Sequence, residues 1–106
     1  MRIKRSKIDK LMRDMVAWRD HAHDNYLLAK DVQFSHSDHA KSRGLSKVEA
    51  ELRAAKDPKF IAAVSNNQMY DRFATRDAAV LSALASMKTA GLLTVYDTAE
   101  NGLPIE

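Results

Sequence analysis

Four histidines are the residues of this chain best suited to chemistry. His21 and His23 stand two apart, and at 3.6 residues per turn a helix turns them about 200° away from each other, so they cannot hold one ion together. His36 and His39 stand three apart and can face one site. Two imidazoles supply only half of a zinc shell, and spacing fixes no further ligand. Both lie on an apolar stripe, which suits ordinary half-buried histidines or a pH-sensitive contact better than a metal centre. Asp20 and Asp24 share a helix face with His23 close by, yet no third group orients a base, as acid–base or nucleophilic catalysis requires. The Glu-x-x-His spacing of carboxylate di-iron bundles is missing, and three scattered glycines cannot build a phosphate loop. Cysteine is absent, which removes disulfides, thiolate nucleophiles and Cys-ligated zinc. The sequence therefore predicts no catalytic, cofactor-binding or metal-binding residues, and a protein that is not an enzyme.

Charge is concentrated at one end. Residues 1–13 hold six basic side chains (Arg2, Lys4, Arg5, Lys7, Lys10, Arg13) against Asp9, so the other 93 residues are slightly acidic within an overall charge of +3. A polyanion contact is expected at this basic end, through Arg2, Lys4 and Arg5, if anywhere. No aromatic is interleaved with these cations in the sequence, so base stacking is not indicated. Met12, Met15, Met69 and Met87 fit a core better than a groove. Asn66-Asn67-Gln68 sits inside a helical pattern and suggests a solvent face or a hydrogen-bonded subunit contact.

These residues must be positioned by long helices. Ser6 offers an N-cap, and Ile8, Leu11, Met15, Trp18, Ala22, Asn25, Ala29, Val32, His36 and His39 follow at 3–4 spacing. This predicts a helix from about 7 to 43 that ends at Gly44, with its weakest stretch at Phe34–Asp38, where serine and aspartate compete for backbone bonds. Ser46 and Glu49 form a capping box for a short second helix. Asp57-Pro58 caps a third, from 58 to about 90, that stops at Gly91 and whose apolar residues spread over more than one stripe. Leu92–Tyr96 reads as a strand, and Asn101-Gly102 as a turn into Leu103-Pro104-Ile105.

The fold class expected is all-α: one helical domain over 1–106, built as a long antiparallel helical hairpin with a short intervening helix. A basic end occupies 1–6, and 92–106 forms an extended tail or small β-hairpin. Pairing residue 43 with about 58 sets Trp18 as a buried anchor against Ala83–Ala85, Val32 against Met69, and Asp24 and Asn25 near Arg76. No apolar run approaches the ~18 residues of a membrane span, and a cleaved secretory signal is not expected.

Two resemblances bear on the reading. Length, lack of cysteine and the hairpin resemble the WXG-type secreted helical hairpins, but Gly44-Leu45-Ser46 stands where their Trp-x-Gly turn belongs, and Tyr96 with Glu100 is a lone Tyr-x-x-x-Glu match, so that family is not assigned. The run Asn66-Asn67-Gln68-Met69-Tyr70-Asp71-Arg72-Phe73-Ala74 and the alanine-rich helix after it resemble small helical structural proteins of tailed bacteriophages. That resemblance implies a subunit used in many copies, made in the cytoplasm and carried in a virion, with itself or other structural proteins as partners. The residues expected to meet partners are Arg2, Lys4, Arg5, Tyr70, Phe73, Leu93, Val95, Tyr96 and Ile105. The alternative is a winged-helix-like DNA-binding regulator, in which Met87–Leu93 leads into a wing at Asn101-Gly102.

Overall fold

The computed structural model describes residues 1–97. In chain order it holds strand β1 (Arg2–Lys4), helix α1 (Arg5–Arg43), helix α2 (Lys47–Lys56), helix α3 (Pro58–Thr89) and strand β2 (Thr94–Tyr96). The chain is all-α, with a short helix between two long ones and a small strand at its C-terminal side. The turn expected at Asn101-Gly102, the segment Leu103-Pro104-Ile105 and hence the interaction residue Ile105 lie outside the described residues.

Helix ends follow from local chemistry. Gly44 has φ 68°; its N–H reaches the Lys41 carbonyl at 3.3 Å and the Leu45 N–H reaches Ala40 at 2.8 Å. Gly91 repeats this at φ 76°, with Gly91 bonded to Lys88 at 3.1 Å and Leu92 to Met87 at 2.9 Å. Both are Schellman closures, in which a left-handed glycine satisfies carbonyls that the helix leaves open. The Ser46 hydroxyl accepts the Glu49 N–H at 3.2 Å, and the Asp57 carboxylate accepts the Lys59 N–H at 2.9 Å. At its start α1 differs from expectation. Arg5 opens the helix directly after β1, so Ser6 lies inside the first turn and is not its cap. The Phe34–Asp38 stretch does not break either; α1 runs through it to Arg43. Ser35 and Asp38 are exposed there, while His36 and Ser37 are half-buried.

The chain divides into two compact units, one of Met1–Trp18 with the described residues from Arg72 onward, the other Arg19–Asp71. In the first, Ile8, Leu11, Met15 and Trp18 of α1 are half-buried, as are Ala74 and Leu81 of α3, and Asp77 and Leu84 are fully buried. The Trp18 and Phe73 ring centroids are 4.9 Å apart, and the Met1 amino nitrogen donates to the Leu92 carbonyl at 2.8 Å, so the two helices run antiparallel. β1 and β2 form a two-stranded parallel sheet, with Arg2 opposite Thr94, Ile3 opposite Val95 and Lys4 opposite Tyr96. The parallel sense follows from the turn at Gly91, which reverses the chain after α3 and sends β2 along the direction in which β1 enters α1.

In the second unit α1 and α3 are again antiparallel. His21 stacks on Tyr70 at 5.2 Å, and His36 meets Asp57 at 2.9 Å. Val32, Ala40, Ala50, Ala54 and Ala63 are its buried apolar residues. The buried stripe ends on Ala40 while His39 is exposed, the drift expected when a 3.6-residue helix is read with a 3.5-residue repeat.

In both units the helix register differs from expectation by about ten residues. Trp18 meets Phe73 and not Ala83–Ala85, and it is half-buried and not a buried anchor. Arg76 lies over Trp18 at 5.7 Å rather than near Asn25, and the Asn25 amide bonds its own helix at the His21 carbonyl, 2.8 Å away. The cause is the short helix. α2 folds back along α1, where Ala50 and Ala54 share a groove with Lys30, Gln33 and Ser37. α3 therefore starts opposite His36, two turns before α1 ends.

Candidate interaction site

Sequence reasoning marks two groups of interaction residues, and the structure brings most of the first group together. Gly91 turns the chain so that Leu93, Val95 and Tyr96 come back to Arg2, Lys4 and Arg5. The Thr94 N–H donates to the Met1 carbonyl at 2.9 Å. The Arg2 guanidinium lies 4.9 Å from the Tyr96 ring centroid, and the Arg5 Nε donates to the Asp97 carboxylate at 2.6 Å. That ion pair is open to water on both sides, 52% and 70% exposed, so it orients the chain more than it stabilises it. Leu93 is buried, Ile3, Lys4, Val95 and Tyr96 are half-buried, and Leu92 is 62% exposed. The basic end is therefore a paired strand with an aromatic ring at its centre. Sequence reasoning missed that ring because it comes from some ninety residues further along the chain.

The second group stays apart from the first. Phe73 packs on Trp18 in one unit, and Tyr70 stacks on His21 in the other. Around Trp18 and Phe73, Arg76 covers both rings, 5.7 and 5.3 Å from their centroids. Its Nε and Nη2 donate to Asp77 Oδ1, each at 3.1 Å. Asp77 is only 1% exposed, and its Oδ2 is buried without a hydrogen-bond partner. Nothing in the sequence singled out this carboxylate except its place on the apolar stripe.

The histidines do not converge. His36 pairs with Asp57, His39 is exposed on the last turns of α1, and no group of three or more His, Cys, Asp or Glu side chains is placed to hold a metal among the described residues. The His36 imidazole, followed by the Lys59 N–H, holds the Asp57 carboxyl below the usual carboxylate range. Asp20 and Asp24 are exposed. A groove of about 570 Å³ between α2, α1 and the start of α3 has Phe34, Phe60, Lys30, Lys47 and Glu51 on its walls.

No family model, no curated protein and no solved structure matches this chain. Its surface must speak for it. Among the described residues the buried apolar set is Val32, Ala40, Ala50, Ala54, Ala63, Leu84 and Leu93, four of them alanines. Fifteen larger apolar side chains are at least 36% exposed, including Met12 and Val16 on α1, Phe34 at 71%, Val48 and Leu52 on α2, and Ile61, Met69, Phe73 and Val80 on α3. Among the described residues no helix is long and apolar enough to cross a membrane.

Proposed function

We propose that this chain is a non-catalytic assembly subunit that acts through protein–protein contacts, with itself or with other structural proteins. One observation carries the reading: among the described residues half of the large apolar side chains are exposed, and four of the seven buried apolar residues are alanine. Single exposed apolar residues are ordinary, but so large a share of them beside so small a buried set is what a chain covered by a partner shows. The wide apolar distribution along α3, with Ile61, Val64, Met69, Phe73 and Val80 all exposed, supports the same reading, because a helix apolar around most of its girth needs more than one neighbour.

The basic end adds a place for a polyanionic partner, with Arg2, Lys7 and Arg13 exposed on one unit. The similarity of Asn66–Ala74 to structural proteins of tailed phages extends the proposal to a viral particle in which the chain recurs in many copies. Sedimentation equilibrium over a wide concentration range tests the central claim. Self-association, or a stoichiometric complex with a co-expressed structural protein, is expected; a strict monomer that retains no partner sinks it.

A further inference from the structure

Of the surfaces left open among the described residues, the edge of β2 is the one whose chemistry specifies its own complement. We propose that β2 of one copy pairs with β2 of a second copy, antiparallel about a two-fold axis at Val95, giving a four-stranded sheet in the order β1, β2, β2 of the partner, β1 of the partner. The inference rests on the assembly reading above and names the surface and the occupant.

The backbone shows which groups are free among the described residues. The Thr94 N–H bonds the Met1 carbonyl, so the polar groups of Thr94 point toward β1. In a ladder successive residues alternate, so those of Val95 point away from it. By the same alternation Ile3 spends its groups on β2, and those of Arg2 and Lys4 point out from the opposite edge. The two edges are chemically different. The β1 edge carries Arg2 and Lys4 and is followed by Arg5. Cations of this kind blunt an edge strand, and a β1–β1 contact would oppose like charges. The β2 edge is Thr-Val-Tyr, with no charge and no proline, and β-branched and aromatic residues favour strand pairing.

Antiparallel pairing about Val95 lets the two Val95 residues exchange both N–H to carbonyl bonds. It also sets Thr94 opposite Tyr96 of the partner subunit twice over, an aromatic against a β-branched side chain. Such a contact is isologous and closes as a dimer. It also answers a structural question. A parallel pair of three-residue strands is below the size at which a sheet stands alone, and parallel sheets are ordinarily covered on both sides. Here one face has the buried Leu93 and half-buried Val95, the other has the Arg2–Tyr96 stack, and Leu92 beside the edge is 62% exposed.

Three full-length variants test this. Val95→Pro removes only the outward N–H, a position where an edge strand tolerates proline; helicity and melting of the folded chain should be kept, and the dimer dissociation constant should rise at least about tenfold. Because the chain has no cysteine, Thr94→Cys and Tyr96→Cys can be oxidised separately and mixed. The mixture should form disulfide dimers, and each variant alone should form few. If the wild type associates while Val95→Pro associates equally well and the mixture links no faster than either variant alone, the β2 pairing is overturned and the assembly reading stands. That is the outcome expected if association runs through the helix faces. Linking of the single variants alone overturns the two-fold register. A wild type that is monomeric at every concentration overturns the β2 pairing and leaves the assembly reading to complexes with other structural proteins.

Discussion

Asp77 is the residue at which this chain departs furthest from ordinary packing. A carboxylate 1% exposed, with one oxygen on Arg76 and the other without a partner, loses hydration that its single neighbour does not fully replace. Replacing it by an apolar residue of similar size removes that deficit and frees Arg76, whose side chain is 60% exposed and stays hydrated. Asp77→Leu is expected to raise stability by about 1–3 kcal/mol, read as a higher urea midpoint at unchanged m-value; a lower midpoint would show that Oδ2 is satisfied after all. Trp18 gives the opposite case. Its ring lies between Phe73 and Arg76 but is only half-buried, so Trp18→Ala is expected to cost about 2–3 kcal/mol, below the ~3–5 of a fully buried ring. Arg5→Ala breaks an exposed ion pair and should change stability by less than about 1 kcal/mol.

At the scale of the helix and the turn, the sequence was most legible where the determinant is local. Gly44, Ser46, Asp57-Pro58 and Gly91 end or start helices as expected because each acts on backbone groups within a few residues. Gly44→Ala and Gly91→Ala meet no steric neighbour within 4 Å. Their cost should be that of left-handed backbone alone, roughly 1–2 kcal/mol each in thermal or urea unfolding. What could not be read was anything set by distant partners. The ten-residue shift in helix register comes from the fold-back of α2, which no periodicity encodes. The pairing of β1 with β2 joins segments some ninety residues apart, so the N-terminal strand looked like a loose basic end and the tail like a hairpin of its own. Of the expected site, Leu93, Val95 and Tyr96 do gather on Arg2, Lys4 and Arg5, because strand propensity marked the tail; Tyr70 and Phe73 were chosen from a helix pattern and pack on α1. The His36–Asp57 contact was likewise invisible, and it carries a pH consequence. The Asp57 carboxyl is held below its ordinary value of 3.8, so the unfolded chain takes up the proton more readily. The contribution is fully present above that value and is lost as pH falls through the lower folded-state value. The wild type should exceed Asp57→Ala in urea midpoint at pH 6, and the gap should close only well into acid. A gap that closed already between pH 7 and 5 would show that the Asp57 carboxyl is not held low in the folded chain.

For the whole molecule, a buried apolar set that is mostly alanine leaves an isolated chain with little to offset the conformational entropy of folding. If association covers the exposed apolar residues, folding and assembly are linked, and the melting temperature should rise with protein concentration. Calorimetry across a dilution series checks this, and a melting temperature independent of concentration would separate stability from assembly. The charges of β1 bear on a different moment in the life of the chain. β2 is synthesised about ninety residues after β1, a wait on the order of 5–20 s at ordinary elongation rates. Once β1 has emerged from the ribosome, it stands without its intended neighbour until β2 follows. Arg2, Lys4 and Arg5 would keep nascent chains on one polysome from pairing with each other through β1. β2, the strand proposed to recruit a second copy, is made only after the helices, so the order of synthesis itself would delay that association until there is a folded subunit to associate.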